Sequence, residues 1–293
     1  MAEPTTADVI TSRENRWVKL FRAGLRGTGP SGDEPIAVEG PKLIEDALRL
    51  GLEAEAVLVS ESGERHLENI LRAASDSETG IARSRVLRTT DKIFESASGT
   101  EAPQGVAALF RQPTWDFEQI LGSSDSEADA GSGTSVALVL VVAGVQDPGN
   151  VGTILRSAEA FGATGVVATR GTADPWSPKA LRASAGSALR LPLLREMSIP
   201  ILLTQLRVSK IKIIAAAAAS KESEASGLPG PDLREPVAIF IGNEGAGLAH
   251  EMEIAADAHI SIPIAAAVES LNAGIAASII LYEAARQRNN AKP

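Results

Sequence analysis

The chain contains no cysteine. That excludes disulfide staples, thiolate nucleophiles and cysteine-ligated metal centres. Histidine is almost as scarce: His66, His250 and His259 stand far apart in no ligand spacing, so no metal is expected and none of the three is given a role. Aromatic residues make up 3% of the chain, which leaves alanine, valine, leucine and isoleucine to pack the core. The first residues, "MAEPTTADVITSREN", lack a basic segment followed by an apolar one, and no apolar run is long enough for a bilayer. A cytoplasmic protein with no membrane partner is expected. Positive charge is also short: the formal net charge is −9, which by itself argues against a polyanionic partner. The deficit is uneven. Residues 1–111 carry 14 basic and 18 acidic side chains, residues 112–133 five acidic and no basic ones, and residues 134–293 carry 14 of each.

What is present is a chain of 293 residues, 44% of them hydrophobic, enough to bury a core in one large or two ordinary domains. The stretch "PTWDFEQILGSSDSEADAGSGTS" divides it, and its second half has the Gly/Ser/Asp/Glu composition of a linker. The expected organisation is a small α/β domain over 1–112, an acidic flexible linker over 113–135 and a second α/β domain over 136–293. In the first domain "PIAVEG" and "EAVLVS" read as strands, "PKLIEDALRLG" and "ERHLENILRAAS" as helices, and "SRVLRTT" and "GVAALF" as further strands. In the second, "VALVLVVAG" is the continuous apolar run of a strand buried on both faces. A helix over 150–162, a strand over 165–169, a helix from Ser177, strands in "IKIIAAAA", "VAIFIG" and "ISIPI", and a long C-terminal helix follow. Strands alternating with helices predict a parallel α/β sheet.

Three stretches at strand ends could carry chemistry. "DPGNVGTILRSAEAFG" puts Asn150 at the C-terminal edge of the sheet, where such folds bind ligands, with Arg156 six residues on; a turn asparagine and a surface arginine read equally well. "IFIGNEGAGL" ends a strand with one carboxylate, Glu244, among Gly242, Gly245 and Gly247. Three glycines suggest something lying close against the backbone, although a capped turn also fits. The stretch is neither a dinucleotide fingerprint nor a P-loop. "ISIPIAAAVESLNAGIAAS" brings Ser270, a suitable N-cap, and Asn272 to the start of the last helix.

Taken together, these stretches resemble the three motifs of the SpoU family of RNA 2'-O-ribose methyltransferases, in the SPOUT superfamily. Asn150 and Arg156 match the first motif. Gly242, Glu244 and Gly247 match the second, and Ile262, Pro263, Ser270, Leu271 and Asn272 the third. The resemblance covers 136–290. "ITSRENRWVKLFR", "VEGPKLIEDAL" and "GTEAPQGVAALF" are similar to the L30e-like substrate-binding domain of longer members, most of which modify large-subunit rRNA.

The resemblance implies a deep trefoil knot, a rare exception to ordinary chain topology. It implies S-adenosyl-L-methionine as cofactor, held by backbone groups of Gly242, Ile262 and Leu271, with the glycines leaving room for the nucleoside. It makes Arg156 the group acting on the ribose 2'-hydroxyl, as base or as electrostatic stabiliser. Glu244 would orient Arg156 or Asn150, and Ser270 and Asn272 would shape the site. It also implies a homodimer through the C-terminal domain, packed on Ala276, Ile279, Ile280, Tyr282 and Glu283. Arg13, Arg16, Lys19, Arg22 and Arg26, clustered in one short segment, are candidate rRNA contacts, as are Lys179, Arg182 and Arg190. A tRNA substrate and a non-catalytic RNA-binding assembly protein are the alternatives.

Overall fold

The computed structural model describes residues 9–27, 35–75, 86–122, 136–217, 230–265 and 270–289. The chain divides into two compact units, one formed by residues 1–114 and 176–182 and the other by 115–175 and 183–293.

The first unit begins with α1 (Arg16–Arg26), capped by Asn15, whose side chain accepts from the Trp17 N–H, and ended by Gly27 at φ 64°. Its Val18, Phe21 and Leu25, spaced three and four apart, are buried. There follow β1 (Ile36–Glu39), α2 (Pro41–Arg49), β2 (Ala54–Ser60), α3 (Glu64–Ser75), β3 (Val86–Thr89), α4 (Asp91–Ala97) and β4 (Val106–Phe110). The sheet order is β1-β4-β2-β3, with β4 antiparallel to both neighbours and β2 parallel to β3. Its core joins the buried face of α1 to Leu58, Phe94 and Leu109.

The second unit holds α5 (Phe117–Ile120), β5 (Leu138–Val142), α6 (Pro148–Ala160), β6 (Gly165–Thr169), α8 (Ser187–Arg190), β7 (Leu193–Met197), α9 (Ile199–Val208), β8 (Lys212–Ala217), β9 (Val237–Ile241), α10 (His250–Ala255), β10 (Ala258–Ser261) and α11 (Ala273–Asn289). A short α7 (Pro178–Ala183) precedes α8, and most of it groups with the first unit. The six strands lie in the order β10-β8-β9-β5-β6-β7 and are parallel throughout. Both central strands, β5 and β9, are buried along their whole length, as their unbroken apolar runs require.

Two sequence expectations are corrected. The stretch read as linker is structured at its start. Asp116 and Gln119 form a reciprocal capping box for α5, and Ile120 is fully buried. The backbone of Ile120 lies so close to Gly165 that a β-carbon there would sit 2.7 Å from its Cα. Residues 123–135, which carry the linker composition, lie outside the described residues. The strand read from "ISIPI" ends at Ser261. Pro263 has no N–H to continue the ladder.

Arg288, in the last turn of α11, ties that helix to the start of the sheet. Its guanidinium donates to the carbonyls of Leu233 (2.8 Å), Val136 (2.6 Å), Ala137 (2.9 Å) and Glu235 (2.9 Å). One planar fork thus serves four acceptors on the segments that enter β5 and β9. Arg288→Ala is expected to lower stability by about 2 kcal/mol in urea unfolding. Arg288→Lys should recover less than half of that, and an unchanged unfolding midpoint for the alanine variant would refute the assignment.

Candidate active site

Three connections meet at the C-terminal end of the parallel sheet. After β5, Asp147 caps α6 by accepting the Asn150 N–H at 2.9 Å, which fixes Asn150 in the first turn. The Asn150 side chain donates through Nδ2 to Glu244 Oε1, in the turn after β9. Its Oδ1 accepts from Asn272 Nδ2 at 2.9 Å. Asn272 Oδ1 in turn accepts the N–H groups of Gly274 (2.9 Å) and Ile275 (3.3 Å). Asn272, not Ser270, is therefore the N-cap of α11, a correction to the sequence reading; Ser270 lies two residues upstream, exposed.

This chain has only one consistent direction. The free N–H groups at the start of α11 commit the oxygen of Asn272, so its amide nitrogen faces Asn150. That commits the oxygen of Asn150, whose nitrogen faces the carboxylate of Glu244, which can only accept when ionised. A helix end thus dictates the orientation of a carboxylate two side chains away.

The turn after β9 is built by a residue the sequence reading passed over. Asn243 Oδ1 accepts from the N–H groups of Gly245 (2.8 Å) and Ala246 (3.1 Å), and its Nδ2 donates to the Gly144 carbonyl at 2.9 Å. Asn243 therefore closes the turn and pins it to the end of β5. The backbones of Asn243 and Gly247 exchange hydrogen bonds of 3.0 and 2.9 Å across it. The signal was available, since asparagine two residues before a glycine commonly closes such a turn on itself. The expected role of Gly242 also changes. A β-carbon there would stand 2.5 Å from the Gly247 carbonyl carbon and 2.7 Å from the Leu248 nitrogen. The glycine is required by the turn folding back on itself, before any ligand is considered.

Beside the turn is a cavity of about 500 Å³, within the range of small-molecule sites. Gly242, Glu244, Ile262, Ser270 and Leu271 line it, with Ile241, Ile264, Ala276 and Ile280 as apolar wall. Among the described residues no basic side chain lines it, and Glu244 is the one ionisable group that does.

The chain matches the model of the SpoU rRNA Methylase family over residues 137–282 and that of the MRM3-like substrate binding domain over 33–108. It is 32% identical to a Synechocystis protein named an uncharacterized tRNA/rRNA methyltransferase, over 97% of each chain. It is 31% identical to the 23S rRNA (guanosine(2553)-2'-O)-methyltransferase RlmP of Bacillus subtilis, covering 93% of this chain and 97% of that one. The chain belongs to the SpoU family. A solved AdoMet-bound rRNA methyltransferase from Sinorhizobium meliloti superposes with a TM-score of 0.75 at 28% identity, covering 96% of this chain and 98% of that one.

Within this SpoU fold the structure gathers Asn150, Glu244 and Asn272 into one hydrogen-bonded chain. It leaves Arg156 outside that chain. Six residues on a helix separate Asn150 and Arg156 by about 120° around the axis and about 9 Å along it. Glu244 therefore orients Asn150, not Arg156. Arg156 is exposed on α6, and its guanidinium has no hydrogen bond or ion pair among the described residues.

The basic residues divide into two groups. Arg22 donates to the Ser96 carbonyl at 3.1 Å, and Arg26 to those of Ser96 (3.0 Å) and Ser98 (3.2 Å). Both arginines cover the open carbonyls at the end of α4, which gives them a structural role in the first unit. Arg190 is likewise committed, in a two-point pair with Glu159. Arg13, Arg16, Lys19, Lys179 and Arg182 are exposed. Arg16 lies over the Trp17 ring at 5.1 Å, and Lys19 pairs with Glu14 at 2.7 Å. Lys179 and Arg182 fall in the segment that groups with the first unit, in the same body as α1.

Proposed function

We propose that this SpoU-family protein is an S-adenosylmethionine-dependent RNA 2'-O-ribose methyltransferase acting on ribosomal RNA, that of the large subunit. The observation that carries the reading is the cavity at the C-terminal sheet edge, next to the oriented Asn150–Glu244 pair and with no cation among its described lining residues. An apolar wall with backbone polar groups suits a nucleoside, and the carboxylate of Glu244, with no cation beside it among the described lining residues, suits a positively charged sulfur. Gly242, Ile262 and Leu271 would hold the cofactor through their main chains. When bound, it supplies a methyl group on that sulfur; the chain's own residues must hold the ribose and help its proton leave.

Arg156 is assigned to the RNA. A guanidinium stays protonated at working pH, so it grips a phosphate and stabilises negative charge developing on the 2'-oxygen, while the 2'-hydroxyl proton passes to solvent water. Asn150 and Glu244 present a fixed amide and carboxylate, Asn272 positions them, and Ser270 stands exposed at the cavity. The first unit, with Arg13, Arg16, Lys19, Lys179 and Arg182, supplies phosphate contacts that the negative net charge of the chain conceals. The order in which β10, β8, β9 and β5 are joined, with α11 returning beside α6, is compatible with the family's knot.

A homodimer through the C-terminal domain is part of the reading. Ile275, Ile279 and Tyr282 lie at i, i+4 and i+7 on α11 and are 52%, 41% and 56% exposed, an apolar stripe facing outward. Ile280, expected in the same face, is 3% exposed and packs inside the protomer. Ile279→Glu/Tyr282→Glu is expected to convert a dimer to a monomer in sedimentation or light scattering; a wild-type monomer would discard the dimer.

The function is tested with purified protein, methyl-labelled S-adenosylmethionine and separate pools of unmodified rRNA and tRNA, followed by mapping of alkali-resistant linkages. Label at one 2'-oxygen of large-subunit rRNA is the expected result. Label in tRNA alone would overturn the substrate class, and neither transfer nor cofactor binding would overturn the enzyme.

A further inference from the structure

On a helix, an arginine reaches side chains three and four positions away, with β-carbons about 5–6 Å apart. For Arg156 these positions are Gly152, Thr153, Glu159 and Ala160. Glu159 alone is charged, and it pairs with Arg190 and not with Arg156. The reason is visible one helix away. Arg190, at the end of α8, donates through Nε to Glu159 Oε1 and through Nη2 to Oε2 at 2.7 Å, occupying both carboxylate oxygens. The same Nη2 lies 3.3 Å from the Ala185 carbonyl and 3.4 Å from Ser187 Oγ, so the fork is itself held in place. Both partners of the pair are about one-third exposed. The hydrogen bonds from Arg190 also hold the Glu159 carboxyl below the usual carboxylate range.

We propose that Arg190 is a positioning residue for methyl transfer: by engaging both oxygens of Glu159, it denies Arg156 the one acid within its helical reach and leaves that guanidinium free for RNA. The proposal rests on the reading of Arg156 given above. Without Arg190, Glu159 becomes an uncompensated anion one helical turn from Arg156. It would draw the guanidinium along the helix and oppose the approach of a phosphate or a developing oxyanion. At such a separation near a protein surface the effect is on the order of tenfold in rate.

The test compares steady-state methyl transfer to rRNA by Arg156→Ala, Arg190→Ala, Arg190→Lys and the double variant Arg190→Ala/Glu159→Gln, with cofactor binding measured on each. Arg190→Ala is expected to lower kcat about tenfold with cofactor affinity unchanged. The double variant should return to within about threefold of wild type, because it removes the anion together with its mask. Arg190→Lys should keep most of the activity. If Arg190 served only to brace α8 against α6, the double variant would be as impaired as the single one, and that result overturns the proposal. Full activity of Arg190→Ala beside an inactive Arg156→Ala overturns it too, while leaving the Arg156 reading intact. Near-normal activity of Arg156→Ala would instead overturn the reading itself and the proposal with it.

Discussion

Replacement of Arg156 by alanine is expected to lower kcat for RNA methylation by about a thousandfold and to leave cofactor affinity unchanged. The split follows from the geometry. Arg156 lines no part of the cavity assigned to the cofactor, so its removal is expected to leave cofactor binding intact. A charged donor aimed at developing negative charge is worth roughly a hundred- to a thousandfold in rate when removed, and Arg156 is assigned a phosphate contact as well. Arg156→Lys should recover only part of the loss, since an ammonium keeps the charge but not the planar fork. Calorimetry with the cofactor and single-turnover transfer to rRNA separate the two effects. Near-normal turnover of the alanine variant would remove Arg156 from the mechanism.

The second large effect is expected from Asn150→Asp, which preserves shape and changes one donor into an acceptor. In the wild-type chain Asn150 Nδ2 donates to Glu244. In the variant two carboxylates face each other with no proton between them, while Asn272 can still donate to the new side chain. Turnover near neutral pH is expected to fall by about a hundredfold. Like charges at contact raise the pKa of the pair, so one proton is shared at a higher pH than an isolated carboxylate would take it up. Activity should therefore rise again as the pH is lowered, opposite in sign to simple loss of a general base. Adding Glu244→Gln supplies a new amide donor and should rescue turnover at neutral pH. A flat, wild-type-like pH profile for Asn150→Asp would show that the hydrogen-bonded chain has no part in the reaction.

Much of the fold was legible because apolar runs and punctuation were strong. "VALVLVVAG" and "VAIF" are the strands at the centre of the sheet, and an apolar run of that length has nowhere else to go. The elements read least well lie at the margins. β7, "LLREM", sits on the sheet edge, mixes charged with apolar residues and contains Glu196 at φ 54°, so no clean period marks it. The short α5 was hidden by its acidic, glycine-rich sequel, although Asp116 and Gln119 spelled out a capping box.

The site divides along the same line. Sequence by itself determined which residues stand at the three strand ends, because local signals such as the cap at Asp147, the glycines of 242–247 and the start of the last helix act over a few residues. It could not decide their partners. Asn150 is 94 residues from Glu244 and 122 from Asn272, and only the parallel sheet brings those three ends together. Only the tertiary structure gave the N-cap of α11 to Asn272, set Gly242 against the backbone of its own turn and matched Arg190 with Glu159 across 31 residues. The reason is physical: capping and turn formation are settled by neighbours in the chain, whereas the pairing of a carboxylate or a guanidinium is settled by whichever group the packed helices and strands bring within hydrogen-bonding distance.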